Sequence, residues 1–426
     1  MTHLKGILRG AFFLVLMLAI TQCSSYTDDT KEIRQDFRTG RYQKALEGLE
    51  KSSVKNSSRN RLLYLLEKAS ILEKLGEHRE SRALLIEADK VVDELYTVSV
   101  SKEAATYLFN ESAQDYPGED YEKVAIHTMM ALSFLSTGEL DKARVEARRI
   151  NTRLNEINSN YDKKNRYSED AFGRYLAGMI YEARGEWDSA IIDYRKALET
   201  YEGTYESLFK TDAPRSLVES LYALYLQRNR RSEANAMRKK YRWLSSSRPS
   251  NAGELIVIHQ LGDIAVKRRS EFVVPVGKQI VRFSFPIIRP KPNYFFGKTG
   301  LDVDGRPFER AELSQNMDLI ASHTLEDRRL RLMVKAAARL ILKGQMTQKA
   351  EKEGGPLVGL LFNIYGAVSE TADTRQWSLL PSSFHVSRLR LRPGEHKVKI
   401  YSDGKLSSIE SVNVKPGEIK FIVDQK

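Results

Sequence analysis

The chain has 426 residues, 41% of them hydrophobic, with 20 Tyr and 16 Phe. Single cores stop growing at roughly 250 to 300 residues, so two or three folding units are required, and the apolar content excludes a chain disordered throughout. The net charge is +12 and Cys23 is the single cysteine, which excludes a disulfide framework and a thiolate metal cluster and points to anionic partners.

The first element is apolar. Lys5 and Arg9 precede an unbroken run from Ala11 to Ile20, too short to remain as a spanning helix and patterned as a signal peptide. It leads into Leu18-Ala19-Ile20-Thr21-Gln22-Cys23-Ser24-Ser25. This segment resembles a bacterial lipobox, although Gln22 stands where that pattern prefers Gly or Ala. The resemblance implies cleavage after residue 22 and a diacylglyceryl thioether on Cys23, with acyl chains of the palmitate type. The competing reading is an incidental cysteine beside an uncleaved anchor. Residues 23–30, polar at Asp28, Asp29 and Thr30, then form a lipidated tether. Ser24 resembles the class sorted to the outer membrane, so the expected place is the bacterial cell envelope, on the periplasmic side. There the available anions are phospholipid head groups, cell-wall polymers and acidic proteins, and nucleic acid is not among them.

Residues 31–248 read as helical repeats. The clearest unit runs from Gly173 to Leu198 and places Gly178, Tyr181, Gly185, Ala190, Tyr194 and Ala197 at alternating small and large positions. It resembles a tetratricopeptide repeat. Small residues let two antiparallel helices approach, tyrosines fill the space between neighbouring pairs, and Gly185 turns the chain. Weaker copies occur around Gly40, Gly76 and Gly138, with a last degenerate unit at Tyr222, Tyr225 and Ala234. About five helical pairs follow, forming a curved solenoid, with the stretch from Val98 to Tyr121 as an insertion. A concave repeat surface suits a protein partner; the competing reading is a rigid spacer.

Ser245-Ser246-Ser247-Arg248-Pro249-Ser250-Asn251 is a linker, after which the period becomes extended. The domain at 252–426 is expected to be α+β: strands within 254–310, helices within 317–371 and strands within 378–426, in small antiparallel sheets. Asp302-Val303-Asp304-Gly305 lacks the remaining ligands of a calcium loop and reads as a hairpin turn. From Thr324 to Glu353 a basic amphipathic helix is predicted, followed by an apolar segment from Leu357 to Val368 that completes a helical hairpin. The basic stripe reads as a solvated helix face, with contact to anionic lipid or an acidic partner as the alternative.

Asp373-Thr374-Arg375-Gln376-Trp377-Ser378-Leu379-Leu380-Pro381 is the most specific stretch. With the repeats it resembles a group of uncharacterised bacterial tetratricopeptide-repeat lipoproteins carrying a C-terminal Asp-Thr-Arg-x-Trp-x-x-Leu-Pro segment. That group has no settled activity to carry over. Asp373, Arg375 and Trp377 form either a recognition point or an Arg-Asp pair covering a Trp at a domain seam.

No catalytic, cofactor or metal site emerges. The seven histidines are scattered without metal-ligand spacing, Gly-x-Ser-x-Gly is absent, and Gly277-Lys278 lacks the upstream glycine of a phosphate loop. Carboxylates such as Glu103, Asp170 and Glu271 cannot be paired by sequence. The expected function is a membrane-anchored scaffold or adaptor acting through its repeats, without enzyme activity or cofactor. The alternative is an envelope hydrolase, or an enzyme activator, working on cell-wall polymers with the repeats as targeting arm.

Overall fold

The computed structural model describes residues 26–101, 114–159, 166–245, 252–276, 279–291, 298–328 and 372–425. Cys23 and the signal segment, Glu103, and most of the predicted helical hairpin, 329–371, lie outside these residues.

Among the described residues, five helical hairpins follow one another: α1 (Lys31–Arg38) with α2 (Tyr42–Lys51), α3 (Arg61–Lys74) with α4 (His78–Ser101), α5 (Asp120–Ser136) with α6 (Leu140–Ser159), α7 (Ala171–Ala183) with α8 (Trp187–Thr200), and α9 (Arg215–Gln227) with α10 (Arg231–Lys240). The fold of this half is a TPR-like solenoid. Each hairpin turns on a left-handed residue: Gly40, Gly76, Gly138 and Gly185 in the first four and Asn229 in the fifth, with φ between 56° and 83°. Glycine enters that region without strain and Asn is the best tolerated substitute, so the degenerate fifth unit keeps the geometry without the glycine.

The first helix of each hairpin lines one side of the stack and the second the other. In α7 every residue from Ala171 to Glu182 is buried, whereas α8 buries only Ala190, Ile191, Asp193, Tyr194, Ala197 and Leu198. The same contrast separates α5 from α6. A helix buried all round must be covered on both sides, and here the C-terminal region supplies the second cover.

Ten strands are described: β1 (Gly253–Leu261), β2 (Arg268–Val276), β3 (Gln279–Ile287), β4 (Gly300–Val303), β5 (Glu309–Arg310), β6 (Glu312–Asn316), β7 (Ser383–Leu391), β8 (Gly394–Ser402), β9 (Lys405–Val414) and β10 (Ile419–Asp424). They form a sheet of order β10-β1-β7-β6, a sheet of order β5-β4-β8-β9, and the separate hairpin β2-β3. A helix over 317–328, α11, follows β6. The strands are antiparallel as anticipated, except that β10 joins β1 in parallel, Glu254 opposite Ile419.

Every residue of β1 is buried. Ile256 and Ile258, with Phe384 and Val386 of β7, belong to one apolar cluster shared with the repeat helices. Leu255 and Val257 belong to a second cluster with Leu301, Val303, Val398, Ile400 and Val412 of the other sheet. The order of layers is therefore helices, sheet, sheet, and the core is continuous from the solenoid into the first sheet. The Asp304-Gly305 turn is a hairpin turn between β4 and β5, with φ of 52° and 71°.

Candidate functional site

The side of the solenoid formed by the first helices holds a peptide, and that peptide belongs to the same chain. On α3, Glu67 and Ser70 are three residues apart and share a face. One oxygen of Glu67 accepts the Ser378 N–H and hydroxyl, both at 2.7 Å; the other accepts the Leu379 N–H at 3.0 Å. The Tyr26 hydroxyl donates to the same carboxylate at 2.7 Å. Ser70 Oγ accepts the Trp377 indole N–H at 2.8 Å. On α5, Glu122 accepts the Trp377 backbone N–H at 2.7 Å with Oε1, and with Oε2 the Tyr116 hydroxyl at 2.7 Å and the Glu119 N–H at 3.0 Å. Three consecutive backbone N–H groups of a loop that cannot form secondary structure are thus satisfied by two helix-borne carboxylates, which is what burial of the loop requires.

Arg375 completes the arrangement. Its guanidinium forms a fork with Asp373, at 2.8 and 2.9 Å, and its remaining nitrogen donates to the Gln114 carbonyl at 2.9 Å. The group lies 5.3 Å from the Tyr116 ring centroid. Asp373, Arg375 and Trp377 lie within the seam: Trp377 is 1% exposed, and its backbone and indole N–H groups are bound by Glu122 of α5 and Ser70 of α3.

Charge is compensated within the seam. Glu119 pairs with Lys267 and Arg328; burial works to raise its pKa, but these two cations hold it well below the usual carboxylate range. Its neighbour Glu122 moves the other way. Burial pushes it up to about 7, aided by the charge of Glu119 and opposed by Lys267. Burial also raises Glu67.

A second seam joins the consensus hairpin to β7. A Cβ on Gly178 would lie 2.3 Å from the Tyr194 ring, so only glycine lets α7 and α8 approach this closely. The Tyr194 hydroxyl donates to Glu182 at 2.7 Å, and Arg388 of β7 donates to Glu182 at 2.8 Å, to Glu254 at 2.6 Å and to Tyr194 at 3.1 Å. Tyr181 instead bridges hairpins, accepting from Arg148 of α6 at 2.8 Å. Gly185 makes the turn, and Ala190 and Ala197 are fully buried. Asp170 caps α7 through the Gly173 N–H at 2.7 Å and accepts from Tyr167 at 2.6 Å and Gln315 at 3.1 Å.

One cluster has the composition of a hydrolytic triad. Ser387 Oγ lies 3.1 Å from His259 Nε2, and His259 Nδ1 lies 3.1 Å from Asp424. His259 is 0% and Ser387 1% exposed, between the two sheets, and Asp424 is also bound by Ser402 and Ser407. A nucleophile needs a place for substrate beside it, and here the neighbours are packed strands; the network satisfies buried polar groups across the sandwich. Among the described residues no group of His, Cys, Asp and Glu could hold a metal ion. No described helix is long and apolar enough to cross a membrane.

Glu67, Glu122, Glu182 and Arg388 were not distinguished by sequence reasoning. Their signal is faint: each stands beside at least one apolar or aromatic residue, Leu66 for Glu67, Tyr121 for Glu122, Tyr181 for Glu182 and Leu389 for Arg388.

No protein-family model matches the chain, and no curated protein matches it. Among solved structures, MamA of AMB-1 is 17% identical, covering 52% of this chain and 92% of that one, with a TM-score of 0.30. TPR-like repeats of a Podosopora anserina kinesin light chain are 16% identical over 50% of this chain and 92% of that one, with a TM-score of 0.32. Apo RapI is 13% identical over 55% of this chain and 59% of that one, with a TM-score of 0.38. The assignment of a TPR-like fold rests on the five hairpins and their turns.

Proposed function

We propose that this protein is a lipid-anchored envelope scaffold that binds a protein partner through the outward helices of its repeats, without catalysing a reaction. The observation that carries this reading is the division of the solenoid: the first helices are covered by the chain's own C-terminal region, and the second helices face solvent. Ile86 of α4, Val145 of α6 and Ile192 of α8 are 42%, 46% and 48% exposed, one large apolar side chain on each of three successive outer helices. Support for the anchor comes from the sequence around Cys23, and outer-membrane placement follows from Ser24 by resemblance alone.

The test is affinity capture of the full-length protein from crosslinked envelopes, beside an Ile86→Glu, Val145→Glu, Ile192→Glu variant. A partner enriched by the parent and lost in the variant is the expected result; equal recovery by both would sink the outer-helix assignment. Deleting the repeats is unsuitable, because the core they share with β1 and β7 would be exposed. Metabolic labelling with a fatty acid, lost in Cys23→Ser, tests the anchor separately.

A further inference from the structure

The last hairpin closes the solenoid, and no further helix pair covers its outer side among the described residues. Its end is unusually basic. Between residues 228 and 243 the chain carries Arg228, Arg230, Arg231, Arg238, Lys239, Lys240 and Arg242 against one acid, Glu233. Nearby carboxylates engage some of these: Asp188 meets Arg228 at 2.9 Å and Arg230 at 3.4 Å, and Glu202 meets Lys240 at 2.5 Å. Arg231, Arg238, Lys239 and Arg242 are exposed and have no ion pair among the described residues. Ala234 and Met237 face inward, so Arg231, Asn235, Arg238 and Lys239 belong to the exposed stripe of α10, and Arg242, also exposed, follows just past the helix end.

An aromatic side chain stands at the end of this stripe. Trp243 is 40% exposed, with Tyr241 at 5.9 Å and the Arg215 guanidinium stacked at 4.4 Å. Its indole N–H has no protein acceptor among the described residues.

Local helix electrostatics explains only part of this. Cations in the last turn complement the carbonyl end of α10, which accounts for Arg238, Lys239 and Lys240. The same argument disfavours Arg231 and Arg215, which occupy the first positions of α10 and α9, where the dipole is positive. It says nothing about an exposed tryptophan.

We infer that the outer stripe of α10 with Trp243 is a docking surface for anionic phospholipid head groups, holding the end of the solenoid against the membrane surface. Long basic side chains reach phosphates while an amphipathic indole settles at head-group depth, the combination that marks interfacial contacts. The inference rests on the envelope reading for its biological setting, but the vesicle measurement does not.

The measurement is sedimentation of the chain from Ser24 onward, which keeps every described residue and lacks any lipid, with vesicles of phosphatidylethanolamine containing or lacking phosphatidylglycerol. Binding is expected with the anionic vesicles only and is lost in high salt. Arg238→Gln, Lys239→Gln, Arg242→Gln should weaken it roughly 100-fold, at about one kcal/mol per cation near the surface. Trp243→Ala should weaken it further. A control variant, Lys31→Gln, Lys51→Gln, Lys90→Gln, removes equal charge from other exposed helices and should bind like the parent. Equal loss in the control reduces the effect to net charge and overturns the site; so does absence of binding to anionic vesicles, which leaves an acidic protein as the partner of the stripe. All substituted residues are exposed, and an unchanged melting temperature verifies the fold. Fatty-acid labelling that is absent from the parent, or retained in Cys23→Ser, would overturn the anchor and leave this result standing.

Discussion

The inner and outer helices of the repeats obey the same sequence pattern and meet different fates. On α5 and α7 even Glu122, His127, Arg174 and Glu182 are buried, each with a charged or hydrogen-bonding partner. On α6 and α8 comparable charges lie in solvent; Arg195 is 53% exposed and 3.8 Å from the still more exposed Glu199. A TPR groove is thus no open site merely because it is concave. In this chain the groove is filled by residues 372–382 and the β10-β1-β7-β6 sheet, and its polar side chains are committed to that contact.

The comparison breaks most severely at Arg388. Arg388→Ala removes the cation that buried Glu182 and Glu254 share, leaving Arg390 at 3.5 Å from Glu254, and unfolding in urea should register a loss of about 3 to 5 kcal/mol. Arg195→Ala on the outer face should cost less than about 0.5 kcal/mol. Equal costs would mean that the second seam does not stabilise the fold.

The pH profile of stability sharpens the contrast. Glu122, raised to about 7 from 4.5, favours the folded state most when protonated; its contribution is present below about pH 4.5 and is lost as pH rises through 7. The full loss is about 3 kcal/mol. Glu119, depressed by Lys267 and Arg328 against its desolvation, acts oppositely: its contribution is present above about pH 4.5 and lost as pH falls. Melting temperatures should therefore peak on the acid side of neutrality, and Glu122→Gln should flatten the alkaline limb. A profile unchanged by that substitution would exclude Glu122 as its source.

Glycine substitutions give a smaller contrast. Gly178→Ala forces a methyl into the buried Tyr194 ring and should cost about 1 to 3 kcal/mol. In α2, a Cβ on Gly48 lies 3.4 Å from the Ile33 side chain, an ordinary contact, so Gly48→Ala should be neutral or stabilising by up to about 1 kcal/mol. The smallest effect belongs to Ile192→Glu, nearly half exposed, which should shift stability by less than about 0.5 kcal/mol. Thermal melts of these variants read both differences.

Much of this architecture is legible in the sequence, for a physical reason. Each hairpin is a contact between residues close along the chain, so the spacing of Gly178, Gly185 and Ala190 carries the geometry, and the apolar run of β1 and the alternation within β7 to β10 carry the strands. The Trp377 segment stands out as a motif, but its destination does not: Glu67 and Ser70 lie more than three hundred residues away and look like solvated helix positions.

The local sequence by itself determined the helical hairpins, their left-handed turns, the change of period after residue 251 and the individual strands, because short-range sterics and burial patterns specify these. Only the tertiary structure decided that β7 and β8, adjacent in the chain, enter different sheets, that β10 returns to pair in parallel with β1, and that the inner face of the repeats is occupied by the same chain. Those outcomes depend on which distant surfaces bury one another and on which buried carboxylate meets which N–H, and no short window of sequence contains both partners.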